Sequence, residues 1–271
     1  MSFEPVPPWP GLANLFSGDA YRFRFQLRSA RPGWLSAGRP DPRVLAERRR
    51  LLDRTGAFQW SPAASDAWKR VESLPGFDLP ISSHTDATQR ARSAAGAWAP
   101  DFILLSPVEA QRVMSGGAVC FPSGWAPEEK LGRTVGEIHA PVPTLNRDLG
   151  SRIDRFLSGL ARGDAMERDN WGLAAVPDLD LHPQRPVPRI DARTPIERLW
   201  FRLEEQSFHG LGDGHVLFLI HVRTWPLSEV LTATGASTAF QQMLQSMPPD
   251  IARYKGLGTL PDLTPLQGPP H

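Results

Sequence analysis

The chain has 271 residues, 41% of them hydrophobic and 22% charged, with a formal net charge of +1. That length sustains an apolar core in one large domain or two small ones, and nothing in the near-neutral balance suggests a nucleic-acid or polyanion surface. The one cysteine, Cys120, excludes a disulfide framework and an all-cysteine zinc site and fits a reducing compartment.

Residues 1–40 are rich in proline and glycine, with Trp9, Phe16 and Trp34 as aromatic punctuation. They read as a peripheral N-terminal arm of a single domain spanning 1–271. Met1 to Pro10 lack the basic and apolar regions of a secretory signal, and no apolar run approaches the ~20 residues that span a bilayer. A cytoplasmic protein is expected. Tyr21 to Leu27 alternates like a strand, with Phe23 and Phe25 on one face. Asp41-Pro42 is an N-cap followed by proline at N1 and predicts a helix to about Asp53. The basic run Arg48-Arg49-Arg50 inside it reads as a solvated helix face.

Ser106-Pro107-Val108-Glu109 has capping-box form and predicts a second helix, ended by Gly116-Gly117. Ala118 to Phe121 reads as a short buried strand, and Pro127 to Glu137 as a short helix. Leu149, Ile153, Phe156, Leu157 and Leu160 recur at helical spacing. Residues 176–195 are loop. Arg198 to Phe208 is ambiguous. A capping box at Thr194–Glu197 argues for helix; the turn at Gly210–Gly214 before His215–Val222 argues for a β-hairpin. Ser228 to Gln245 reads as helix and Pro261 to His271 as a frayed end. The fold class is α+β, with helices packed on an antiparallel sheet.

Several familiar chemistries are not supported. The glycine pairs at 210–212 and 256–258 lack the context of a phosphate loop, and Ser123 lies in no nucleophile elbow. His215 and His221, six residues apart on a strand, stand roughly 20 Å from each other, too far for one metal ion. Asp178, Asp180 and His182 read either as a chelating loop or as a solvated acidic one. His139 is flanked by apolar residues and followed by Pro141 and Pro143. It suits axial haem ligation, or else a buried histidine bonded to a backbone carbonyl. Cys120, a competing axial ligand, sits in an apolar run that favours an inert packed thiol.

Ala118 to Trp125, Glu129-Lys130-Leu131-Gly132 and Ile138 to Pro143 follow one another in an order and spacing that resembles the haem-dependent oxidative N-demethylase α-subunit family. Arg168-Asp169-Asn170-Trp171, the alternation Arg202, Glu204, Gln206, the segment Val216 to Leu227 and Arg253-Tyr254-Lys255-Gly256 extend the likeness over roughly residues 20–260. The resemblance implies a PAS-like antiparallel sheet whose helices cup a haem pocket, with an N-terminal extension and a C-terminal helix. It implies oxidation of a small methylated amine, of dimethylamine type, by a monooxygenase using O2 and haem b iron. NADPH, FMN and an iron–sulfur centre would act only through a reductase subunit, and a folate-linked subunit would take the released carbon. His139 becomes the axial ligand, with Phe121, Trp125 and Trp171 beside the cofactor. On a strand, Arg202, Glu204 and Gln206 share one face and form a wall that polarises O2 and holds the amine. Two arginines of the family pattern are missing, one replaced by Glu205, and Arg223 stands where an aromatic is usual. A gas-binding haem module and a homologue without haem are the alternative readings.

Overall fold

The computed structural model describes residues 15, 21 and 26–257, apart from 55, 81, 82, 84, 85, 192, 193, 233 and 234. A seven-stranded sheet organises them. Its strands are β1 Arg28–Ser29, β2 Phe58–Trp60, β3 Asp101–Val108, β4 Gln111–Ala118, β5 Ala165–Ala174, β6 Trp200–Gly212 and β7 His215–Pro226. Their order is β1-β5-β6-β7-β3-β4-β2, with antiparallel pairing throughout. Two sequence-local blocks, β2-β4-β3 and β5-β6-β7, thus meet at one seam between β3 and β7. The α+β class is as expected.

The ambiguous stretch at 198–208 is strand. Phe201 and Leu203 alternate with Arg202, Glu204 and Gln206, and the two sets go to opposite faces. The capping box before it yields only a 3-10 turn, Ile196–Arg198. The hairpin turn is as expected: Gly212, Asp213 and Gly214 all have positive φ, of 84°, 47° and 75°.

The helix expected from Ser106 is not formed. Phe102 to Leu105 is a buried apolar run that pairs on both sides, with β4 and β7. The chain then reverses at Glu109, whose φ is 53°, into β4. Ser106 Oγ donates to Ser115 Oγ at 2.8 Å across this hairpin instead of capping a helix. Ala118 closes β4, so Val119 to Phe121 leave the sheet rather than extend a strand. The single helix expected over 127–137 is a 3-10 turn, Pro127–Glu129, and then α4 below, with Gly132 at φ 75° between them.

Among the described residues eight helices accompany the sheet: α1 Pro42–Leu52, α2 Pro62–Glu72, α3 Ala87–Ala95, α4 Val135–His139, α5 Leu145–Gly159, α6 Leu227–Val230, α7 Ala236–Ser246 and α8 Pro249–Tyr254. Asp41 caps α1 by accepting from Arg43 N at 2.8 Å. Arg48 departs from the solvated-face expectation. It is fully buried, with Nη1 2.9 Å from Asp101 Oδ1 and Nη2 donating to Ala99 O at 2.7 Å. Two helices, α6 and α7, replace the single one expected over 228–245, because the chain turns at Gly235 with φ 78°, and α8 follows after Pro248. α2 packs Trp68 on Phe102, α5 packs Phe156 on Phe208, and α7 packs Phe240 on Trp171.

The described end of the stretch expected as a peripheral arm, from Arg28 on, reaches the sheet. β1 pairs with β5, Trp34 is buried, and its Nε1 donates to Glu167 Oε2 at 2.8 Å. The expected strand at 21–27 and the frayed end at 261–271 lie wholly or mostly outside the described residues. Among the described residues no helix is long and apolar enough to cross a membrane.

Candidate functional site

Directly opposed residues in a sheet share a face. Arg168 opposes Gln206, Asn170 opposes Glu204, and Gly172 opposes Arg202. The same three β6 residues oppose Ile220, Val222 and Thr224 of β7. A polar front face results. It brings together Arg202, Glu204 and Gln206, and adds Arg168 and Asn170 from β5.

Glu204 is held from three sides. Asn170 Nδ2 donates to its Oε2 at 3.0 Å, Gln206 Nε2 donates to the same oxygen at 2.9 Å, and Ser123 Oγ donates to Oε1. A carboxylate accepts about four hydrogen bonds, so one acceptor position on Oε1 stays open. Ser123 is fixed in turn by Arg202 Nε at 2.7 Å. Arg202 is occupied elsewhere too, donating to Phe121 O and Leu179 O at 2.7 Å each and to Asp178 O at 3.3 Å. Burial lowers its pKa to about 10. Arg202 therefore ties the loops at 121–123 and 178–179 to β6.

His139 ends α4, a helix started by the reciprocal Thr134–Glu137 capping box. Burial lowers its pKa to about 4, with Arg168 adding to the effect and Asp154 opposing it. The ring is thus neutral at pH 7, and its Nδ1 is buried without a hydrogen-bond partner. The backbone-carbonyl bond expected of a structural histidine is not made at Nδ1. A neutral imidazole with an unused ring nitrogen fits a metal ligand. Cys120 does not fit. Burial raises its thiol to about 12, and Sγ lies 3.7 Å from Arg48 O. Ligation needs the thiolate.

The remaining expected cofactor residues are dispersed. Trp125 is partly buried against the larger apolar cluster. Phe121 is buried under the Arg48 guanidinium, 4.8 Å from the ring centroid. Trp171 lies on the opposite face because it opposes Leu203, not Glu204. There it stacks on Phe201, and Lys255 Nζ sits 4.8 Å from its ring and donates to its carbonyl at 2.8 Å. Burial lowers Lys255 to about 8. Phe121 also lines a cleft of about 700 Å³, together with Trp34, Arg185, His221 and Arg223.

The acidic loop is ion-paired rather than chelating: Arg185 meets Asp178 at 3.0 Å, and His182 Nε2 meets Glu128 at 3.1 Å. Among the described residues no group of three or more His, Cys, Asp or Glu side chains is placed to hold a metal ion. Asn170 and Arg168 are front-face residues that strand alternation within β6 does not reveal, since they enter through its pairing with β5. Ser123 arrives from a loop and carries no local signal.

A family model described as haem-dependent oxidative N-demethylase, alpha subunit-like, matches residues 56–263. A search of the curated proteins finds no match.

Proposed function

The chain belongs to the haem-dependent oxidative N-demethylase, alpha subunit-like family, and from that premise we propose that it is the haem b-binding subunit of an enzyme that demethylates a small methylated amine with O2. Its sheet and helices would form a PAS-like haem pocket, and its electrons would come from a reductase subunit carrying flavin and an iron–sulfur centre. One observation carries this reading: a neutral, half-buried His139 keeps its Nδ1 without a hydrogen-bond partner and lies within electrostatic reach of Arg168, which shares its sheet face with the clamped carboxylate of Glu204.

Haem, when bound, supplies the oxygen chemistry. The protein's part follows from its own groups. His139 would hold the iron through a neutral ring nitrogen. Glu204 offers its open acceptor position to a substrate N–H. Asn170, Gln206 and Ser123 keep the carboxylate from swinging away, so little ordering remains when the amine arrives. Arg202 positions Ser123.

A second reading has its own observation. His221 is also neutral, with a pKa of about 4 set by burial, and it lines the cleft of about 700 Å³ beside Phe121. That volume is in the range of cofactor sites. Absorption spectra of protein expressed with haem precursor separate the two. His139→Ala should abolish the Soret band while His221→Ala keeps it. The reverse pattern moves the haem to the cleft, and a band unchanged in both variants removes both ligands.

A further inference from the structure

Arg168 and Glu204 are diagonal neighbours on the front face, since each stands two residues along its strand from the other's partner. Such neighbours lie about 7–8 Å apart, within reach for long side chains. Opposite charges so placed ordinarily close into an ion pair, and these do not. Glu204 is clamped instead by Ser123, Asn170 and Gln206. The Arg168 guanidinium makes no hydrogen bond or ion pair among the described residues, and its Nε is buried without a partner.

We propose that the substrate is a methylated amino acid, whose ammonium is held by Glu204 and whose carboxylate is held by Arg168. This rests on the reading of the front face as the amine site and names the substrate class of that site. A buried guanidinium donor left unmade is costly, and a carboxylate matches its planar fork. A simple dialkylammonium would bring a further cation beside a guanidinium that Glu204 and Asp169 offset only at a distance, without a hydrogen bond. A zwitterion brings one charge for each side chain. In an N-methylated α-amino acid a single carbon separates the two charged groups, short enough to lie between neighbouring positions on adjacent strands.

The same guanidinium chemistry suits a haem propionate, so the test separates the two carboxylates. Calorimetric titration of the purified protein with N,N-dimethylglycine, dimethylamine and acetate needs no variant. Dimethylglycine should bind at least about tenfold more tightly than either fragment, the scale of one charge-assisted bidentate contact. Arg168→Gln should bring the ratio to dimethylamine down to about one, and Arg168→Lys should restore part of it. Equal affinities for dimethylglycine and dimethylamine in the unaltered protein overturn the proposal. So does an Arg168→Gln protein that keeps the preference but loses haem absorbance per chain, which assigns Arg168 to a propionate. Glu204→Gln tests the underlying reading separately: if neither amine is weakened, the front face is not the amine site at all.

Discussion

Asp101→Asn should unfold the protein more readily than its small change in shape suggests. Asp101 is 1% exposed and Arg48 0%. The carboxylate takes the Arg48 guanidinium at 2.9 Å, Cys120 N–H at 2.8 Å and Phe121 N–H at 3.0 Å. An amide keeps one acceptor, turns its other end into a donor and removes the charge. Arg48 would keep only the Ala99 carbonyl. Breaking a buried pair from one side costs about 3–5 kcal/mol, a large part of the 5–15 kcal/mol that holds a typical domain. In urea the midpoint should fall by on the order of 1 M or more. Adding Arg48→Met to Asp101→Asn removes the stranded charge, so the double variant should be more stable than Asp101→Asn alone. A loss below about 1 kcal/mol for the single variant, or simple additivity in the cycle, would refute this account of the pair.

Acid should destabilise the fold through imidazoles that desolvation keeps neutral. His139, His209 and His221 are each lowered to about 4 by burial, against about 6.5 in an unfolded chain. As pH falls from 6.5 the unfolded state takes up protons first, so stability is full above that pH and is lost toward pH 4. The effect is about 3 kcal/mol for His209, which is 6% exposed, and less for the other two. Urea midpoints that do not change between pH 7.5 and 5 would contradict the neutral assignment. Gly210→Ala should cost more than about 3 kcal/mol, because a Cβ there would lie 1.9 Å from the Ala161 carbonyl oxygen, a backbone atom. Gly172→Ala, with nothing within 4 Å of its added carbon, is the control. Equal melting temperatures for the two would show that the 161 loop gives way.

What could be read from sequence was what local rules govern. Asp41-Pro42 marks α1 because a cap and a fixed proline φ act within one turn. Arg202, Glu204 and Gln206 share a face because a strand has period two. The box at Ser106–Glu109 misled because tertiary pairing of Phe102 to Leu105 outweighs a local capping preference. Asn170 and Ser123 stayed hidden because their contacts with Glu204 span 34 and 81 residues, and no periodicity encodes a register between distant segments. Arg48 looked exposed within a basic run, and only Asp101, 53 residues on, makes its burial tolerable.

The seam between β3 and β7 also sets an order of events during synthesis. β2, β3 and β4 emerge early and can pair among themselves, but β3 keeps one bare edge. Its partner β7 leaves the ribosome only after roughly a hundred further residues, a delay of roughly 5–20 s at ordinary elongation rates. Throughout that interval the apolar strand of Phe102, Ile103 and Leu104 presents open backbone groups. The nascent chain therefore spends its most vulnerable period half-assembled, and the β5-β6-β7 meander, once made, closes the sheet in a single docking step.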